Sequence, residues 1–161
     1  MKHPVIFKQS PNYKAVPNRA ITLIVLHATA TDRIESPLAW LTDSMSKVSA
    51  HYLLGRDGTL YQLVAERDVA WHAGQSEWKG KQNCNQFSIG IELVNDNSGN
   101  MAYPPAQLDV CLDLVADLCK RYSLTRGDVA SHATISPIRK NDPQGFPWQE
   151  FRERLQKEGI A

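Results

Sequence analysis

Two dense apolar runs constrain the fold of this chain more than any other feature. ITLIVLH (21–27) is rich in β-branched residues, and its length fits a buried strand. FSIGIELVN (87–95) alternates, so its apolar residues face one way and Ser88, Gly90 and Glu92 face the other. Helical patterns separate and follow these runs. The combination predicts an α/β fold: a single-domain mixed β-sheet flanked by helices.

Other segments predict the remaining elements. VSAHYLLGRDGTLYQLV (48–64) predicts a β-hairpin that turns at Asp57-Gly58, and VASH (129–132) is typical of a strand end. Helices are predicted at SPLAWLTD (36–43), with Ser36 as N-cap and Pro37 at the first helical position, at 104–122 and at 147–159. The first twenty residues hold three prolines and predict an extended arm (1–20), which leaves 21–161 as the domain.

Length and composition limit the classes of function. A chain of 161 residues suits one domain, and a net charge of +1 gives no reason to expect nucleic-acid binding or a basic membrane surface. The odd number of cysteines argues against a disulfide framework, and Cys111 and Cys119 are expected to fill the core. No signal peptide or membrane segment is apparent, so we expect synthesis in the cytoplasm, no membrane partner and a monomer.

Three separated residues suggest a metal site. His27 ends a buried strand, His132 ends another, and Asp142 lies ten residues further on in a turn. A catalytic zinc site typically takes three ligands from His, Asp, Glu or Cys. Each residue also has an ordinary structural interpretation. Histidines at strand ends often make structural hydrogen bonds, and aspartates in turns often cap a helix or stabilise the turn. The spacing matches no short zinc motif, so chemistry alone leaves both interpretations open.

Two further charged residues fit the same hypothesis. Glu92 could be a general base whose pKa is raised by partial burial, or a glutamate on a solvated sheet face. Lys140 could stabilise an oxyanion as an amide is attacked, or could be an ordinary loop lysine.

Four segments in order carry a resemblance to a known family. LIVLHATAT, VSAHYLLGRDGTLYQLV, AWHAGQSEWKGKQNCNQFSIGIELVN and SHATISPIRKNDPQGFPW closely resemble the zinc-dependent N-acetylmuramoyl-L-alanine amidases of type 2. That family shares its fold with the peptidoglycan recognition proteins and some phage lysozyme-like amidases. The resemblance covers about residues 20–155, and within the family it is greatest to the anhydro-muropeptide amidases of the AmpD and AmiD type.

The resemblance implies a role for each candidate residue. His27, His132 and Asp142 would bind Zn²⁺, with Glu92 as the catalytic acid/base and Lys140 as the transition-state cation. Trp71 and His72 would line the substrate groove, although core packing is an equal alternative for Trp71. His51 is expected to be structural, through hydrogen bonds within the hairpin.

Two departures from the family pattern affect substrate preference. Asn83 stands where the anhydro-muropeptide enzymes usually carry an arginine tied to binding of a substrate carboxylate. The turn DPQG replaces the usual DPGP. Neither departure involves the metal set.

The implied function is hydrolysis of the amide bond between N-acetylmuramic acid and L-alanine, with peptidoglycan or a muropeptide as the partner. A non-catalytic peptidoglycan-binding module on the same fold is the alternative, and such modules commonly lack the third zinc ligand. A plain α/β domain with structural histidines is a third hypothesis. Within the enzyme hypothesis, a recycling amidase and a phage endolysin both remain open.

Overall fold

The computed structural model describes residues 2–161. Within that range the strands are β1 (Ile6–Phe7), β2 (Tyr13–Lys14), β3 (Leu23–Ala28), β4 (Tyr52–Leu54), β5 (Leu60–Gln62), β6 (Val69–Ala70), β7 (Glu77–Trp78), β8 (Lys81–Gln82), β9 (Ser88–Leu93) and β10 (Val129–Ser131). The α-helices are α1 (Glu35–Leu41), α2 (Pro105–Tyr122), α3 (His132–Ile135) and α4 (Trp148–Lys157).

Six of these strands form the main sheet, in the order β1-β5-β4-β9-β3-β10 across the part of the chain described. The strand β3 pairs in parallel with both β9 and β10, while β4 pairs in parallel with β9 and antiparallel with β5. The sheet is therefore mixed. The prediction of an α/β fold with helices around a mixed sheet is confirmed.

The largest apolar cluster lies on one face of the main sheet. Alternate residues of the central strands, among them Ile24, Leu26, Ile89 and Ile91, pack there with α2 and α4. The apolar residues Cys111, Leu112, Val115, Leu118 and Cys119 of α2 are buried, and Cys111 and Cys119 fill this core as expected. The opposite face holds two smaller apolar clusters, and His27 and Glu92 leave the sheet on that side. The sheet thus separates its main core from its polar residues.

The N-terminal segment contributes strands of its own. The strand β1 pairs in parallel with β5 at the edge of the main sheet, and β2 pairs antiparallel with β6. The side chain of Asn12 donates to the carbonyls of Asp43 and Val48. The segment is extended, and it is tied to the domain by ladder and side-chain hydrogen bonds.

One predicted helix start is wrong. The helix α1 begins at Glu35, and Ile34 rather than Ser36 is the N-cap, with no side-chain capping bond. The sequence Ser-Pro suggested a later start, but proline is tolerated throughout the first turn, where backbone N–H groups have no intrahelical partner. Glu35 in that turn also interacts favourably with the helix dipole.

No helix within residues 2–161 is long and apolar enough to cross a membrane.

Candidate metal centre and cleft

Two histidines meet at the carboxyl ends of adjacent strands. His27 lies near the end of β3, and His132 follows β10 directly as the first residue of α3. The sequence predicted a strand end at His132, and the chain instead turns into a short helix capped by Ser131, whose Oγ accepts from the N–H of Thr134. The two Nδ1 atoms lie 2.9 Å apart. Both rings are buried.

Asp142 completes the cluster from a separate turn. Its Oδ1 lies 3.2 Å from Nδ1 of His132, and its Oδ2 lies 3.6 Å from Nδ1 of His27. The N–H of Ala28 donates to the same Oδ2 at 3.3 Å. Burial alone would raise the pKa of Asp142, but the contacts with His132 and His27 outweigh it and hold that pKa well below its usual range. Asp142 is therefore a carboxylate at neutral pH.

A neighbouring loop holds the turn that carries Asp142. The side chain of Asn97 donates to Oδ1 of Asn141 at 2.9 Å and accepts from the N–H of Gln144 at 2.8 Å. The side chain of Gln144 donates in return to the carbonyl of Asn97 at 2.7 Å. Because these bonds flank Asp142 on both sides, Asn97 fixes the position of the carboxylate without touching it.

The donor atoms fit a metal ion. One ligand atom from each of His27, His132 and Asp142 lies within 4.8 Å of the others. Nε2 of His132 lies 3.1 Å from the carbonyl of Ala73, which can only accept, so Nε2 carries a proton and Nδ1 is the ring nitrogen that faces the cluster. Burial lowers the pKa of His27 to about 4, which keeps that imidazole neutral. Two imidazoles and one carboxylate match a zinc donor set.

Glu92 lies beside this cluster. It is the register partner of His27 in the adjacent strand β9. Burial, with the negative charge of Asp142 as the next cause, raises the pKa of Glu92 to about 8. Its Oε2 is shielded from solvent and has no hydrogen-bond partner among the described residues. The solvated-face alternative for Glu92 is therefore wrong, because the carboxyl group points into a partly enclosed site.

The cluster opens into a cleft of about 580 Å³. Its walls include Glu92, Trp71 and the exposed Lys140, and its apolar flank is formed by Pro37, Trp40, Leu41 and Val48. A charged end next to an apolar flank suits a ligand with both polar and apolar parts.

The structure brings His72 to the site but not Asn83. His72 lines the cleft, yet its ring is buried, with its Nδ1 at 2.9 Å from Nε2 of His27 and its Nε2 at 3.1 Å from Oγ of Ser88. Asn83 instead lines a neighbouring pocket of about 460 Å³, which shares Arg139 with the main cleft.

His51 has hydrogen bonds beyond its hairpin. Its Nδ1 accepts from the N–H of Gly90, and its Nε2 lies 3.0 Å from the carbonyl of Asp68. Burial, followed by the charge of Arg19, lowers the pKa of His51 to about 3. Its carbonyl accepts from the N–H of Leu63 within the hairpin, as expected, and its ring adds partners outside the hairpin.

Sequence reasoning missed Asn97 and Arg139. Neither residue lies in a zinc-type pattern. The signal for Arg139 was its place directly before Lys140, and the signal for Asn97 was the cluster of turn-forming residues in NDNSGN (95–100).

Comparisons with known proteins agree with this geometry. The profile of the N-acetylmuramoyl-L-alanine amidase family matches residues 17–145, and the chain belongs to that family. N-acetylmuramoyl-L-alanine amidase AmiD of Escherichia coli strain K12 is 40% identical over an alignment of 149 positions, which covers 83% of this chain and 53% of AmiD. The chain spans about half the length of the curated relatives it matches first.

Solved structures show the same fold. A crystal structure of a selenomethionine AmpD derivative has a TM-score of 0.79 at 32% identity and covers 92% of both chains. The complex of E. coli AmiD with the substrate anhydro-N-acetylmuramic acid-L-Ala-D-gamma-Glu-L-Lys has a TM-score of 0.76 at 38% identity, covering 92% of this chain and 61% of AmiD. The resemblance identified in the sequence is confirmed.

Proposed function

We propose that this chain is a zinc-dependent N-acetylmuramoyl-L-alanine amidase. It would hydrolyse the amide bond between N-acetylmuramic acid and L-alanine in peptidoglycan or muropeptides. The observation that carries the proposal is the cluster of His27, His132 and Asp142 with Glu92 in register beside it. Family membership and the muropeptide bound to AmiD support the choice of bond. Residues 21–161 would act as the catalytic domain, in a monomer.

His27, His132 and Asp142 would hold the zinc ion. The chemistry that zinc supplies when bound is that of a Lewis acid, which lowers the pKa of water to about 7 and polarises a carbonyl. The chain prepares its ligands for this role. It keeps both imidazoles buried and Asp142 ionised. The Nε2 atoms of the two rings, which face away from the cluster, contact His72 and the carbonyl of Ala73.

Glu92 would transfer the proton. A carboxyl group with a pKa of about 8 changes its protonation state near neutral pH, so it can accept a proton from the attacking water and return it to the leaving amine. Oε2 of Glu92 can accept that proton, because it has no competing hydrogen bond within residues 2–161.

The other cleft residues would bind and orient the substrate. The ammonium group of Lys140, on the rim of the cleft, would stabilise the negative charge that develops on the carbonyl oxygen. Trp71 and His72 would form part of the floor under the acyl part. Asn83 would meet the stem peptide only if the peptide extends past Arg139 into the neighbouring pocket.

The test is a hydrolysis assay with purified protein reconstituted with zinc. Anhydro-N-acetylmuramoyl tripeptide and intact sacculi are supplied separately, and release of a peptide with a free alanine amine is followed by mass spectrometry. We expect release from at least one substrate, and its absence from the Glu92→Gln variant. The comparison of the two substrates separates a recycling role from a lytic one. Binding of either substrate without release of peptide would instead support the non-catalytic module.

A further inference from the structure

We propose that His72 and Ser88 are positioning residues that hold His27 in the one tautomer able to bind a metal through Nδ1. They would act through a hydrogen-bond chain that ends at a backbone carbonyl. The inference rests on the proposed metal site, because it concerns how one of the ligands is prepared.

The direction of each hydrogen bond in this series follows from the last acceptor. The carbonyl of Cys84 can only accept, so the hydroxyl of Ser88, 2.6 Å away, donates to it. A serine hydroxyl has one proton, so Ser88 Oγ must accept at its 3.1 Å contact with His72, and Nε2 of His72 therefore carries a proton. In the neutral imidazole of His72 the other nitrogen, Nδ1, then has no proton and can only accept.

The same reasoning gives the tautomer of the proposed ligand His27. Nδ1 of His72 is an acceptor and lies 2.9 Å from Nε2 of His27, so Nε2 of His27 must donate. The proton of His27 is then on Nε2, and its Nδ1, which faces His132 and Asp142, is free. The opposite tautomer would place a proton at the position where a metal ion would bind.

Burial makes this arrangement hard to reverse. Ser88 and Cys84 have no exposed surface, and His72 is nearly buried, so a displaced proton would leave buried polar atoms without partners. The backbone N–H groups of His72 and Ala73 both donate to Oδ1 of Asn85, at 3.0 and 2.8 Å, which fixes the segment.

That segment orients both histidine ligands. The side chain of His72 receives the proton of His27, and the carbonyl of its neighbour Ala73 receives the proton of His132. Two consecutive residues thus prepare two ligands that lie 105 positions apart in the chain. Such indirect partners commonly change metal affinity by about 10- to 100-fold when they are removed.

The first test reads the tautomer directly. Long-range ¹⁵N–¹H NMR spectra of the metal-free protein report which ring nitrogen of each histidine is protonated. We expect His27 and His72 to be protonated on Nε2 in the wild type, and His27 to become a mixture in Ser88→Ala. A wild-type His27 protonated on Nδ1 would overturn the proposal, whether or not any variant folds.

The second test measures zinc affinity by competition with a chromophoric chelator. Ser88→Ala and His72→Gln should bind zinc about 10- to 100-fold more weakly. His72→Asn, whose amide oxygen can replace Nδ1 as an acceptor, should recover part of the loss. Ser10→Ala is the matched control, because Ser10 is another fully buried serine whose hydroxyl donates to a backbone carbonyl, that of Leu41, at 2.6 Å, but accepts from the N–H of Asn12 and not from a histidine.

The outcomes separate this inference from the proposed function. A wild-type protein that does not bind zinc would contradict the metal site itself. A wild type that binds zinc tightly, with equal affinity in folded Ser88→Ala and His72→Gln, would contradict only the positioning role. Equal losses in Ser10→Ala and Ser88→Ala would show that general destabilisation, and not the hydrogen-bond chain, explains the effect, and would overturn the proposal.

Discussion

His27 and Glu92 are register partners in the neighbouring parallel strands β3 and β9, so their side chains leave the same face of the sheet. Adjacent strands are about 4.8 Å apart, so the proposed ligand and the proposed base are held at a distance set by the backbone ladder. Neither residue depends on a loop for its place. Substituting Glu92 therefore tests proton transfer with little disturbance of the metal ligands.

Glu92→Gln should reduce turnover by roughly 10²- to 10⁴-fold, the usual contribution of a positioned acid/base. The amide keeps the shape of the side chain but cannot accept the proton. Zinc content, measured by elemental analysis, should stay that of the wild type. Glu153→Gln on the exposed surface of α4 is the control. Normal turnover in Glu92→Gln would mean that another group moves the proton.

The same substitution should change how stability depends on pH in metal-free protein. Folding raises the pKa of Glu92 from 4.5 to about 8, so the native state binds more protons than the unfolded state between these values. Its contribution to stability therefore declines as pH rises through that window. We expect Glu92→Gln to melt at a higher temperature than wild type at pH 8 and to lose that advantage near pH 4.5. Thermal scans in chelator check this, and a pH-independent difference would contradict it.

Asp142 should decide zinc retention. The wild type should hold about one zinc per chain after reconstitution, as a three-ligand site does. Asp142→Ala leaves two imidazoles and should lose most of the metal and all hydrolysis, while Asp142→Asn should fall between. Elemental analysis after dialysis measures the content. Asp109→Ala, at an ion-paired surface carboxylate, is the control. Less than a tenth of an equivalent in the wild type, or full retention in both Asp142 variants, would exclude this ligand set.

Asn97 should affect the metal site from a distance. Its backbone has a φ of 60°, so Asn97→Gly removes the side-chain bonds to the Asp142 turn without adding backbone strain. We expect a loss of about 1–2 kcal/mol in unfolding free energy, from the two hydrogen bonds, together with weaker zinc binding. Denaturant titration and chelator competition measure the two effects.

The control for Asn97 is Asn18→Gly, an exposed asparagine with a φ of 52°. It makes the same chemical change at a similar backbone angle, so it reports the entropy that glycine adds to the unfolded chain. Equal effects of the two variants on zinc affinity would show that Asn97 has no role in placing Asp142.

Gly90→Ala should damage the site through His72. A Cβ on Gly90 would lie 2.4 Å from Cγ of His72, so the ring would have to shift from the position in which it contacts His27. We expect destabilisation of about 1–3 kcal/mol, as for other overpacked positions, and weaker zinc binding. Gly127→Ala is the control, because its added Cβ would meet only Oγ1 of Thr125, at 3.4 Å. Unchanged melting and zinc affinity in Gly90→Ala would contradict the packing described for His72.

The elements that the sequence predicted well are those with local signals. Both central strands, the hairpin and α2 follow from periodicity and turn residues, and these fix the places of His27 and Glu92. The edge strand β1 has two residues in a proline-containing segment, and its pairing with β5 depends on distant contacts. The periodicity of β9 correctly predicted which residues face each side of the sheet, but it could not show that the ring of His72 packs against Gly90.

The sequence could predict which residues form the metal cluster, but it could not predict how their donor atoms are arranged in space. His27, His132 and Asp142 come from three separate segments, so only the tertiary fold decides that their donor atoms converge. The resemblance to a family supplied what spacing could not. Asn83 illustrates the limit of such transfer, because the resemblance implies a role in substrate binding, yet the residue lines a pocket beside the cleft rather than the cleft itself.

The long helices α2 and α4 pack on the face of the sheet opposite the metal ligands. None of the residues of this largest apolar cluster lines the cleft. Substitutions along the cleft can alter its shape while the helices keep the strands in register. The residues that stabilise the scaffold and the residues that shape the cleft are therefore separate sets, and either set can change without the other.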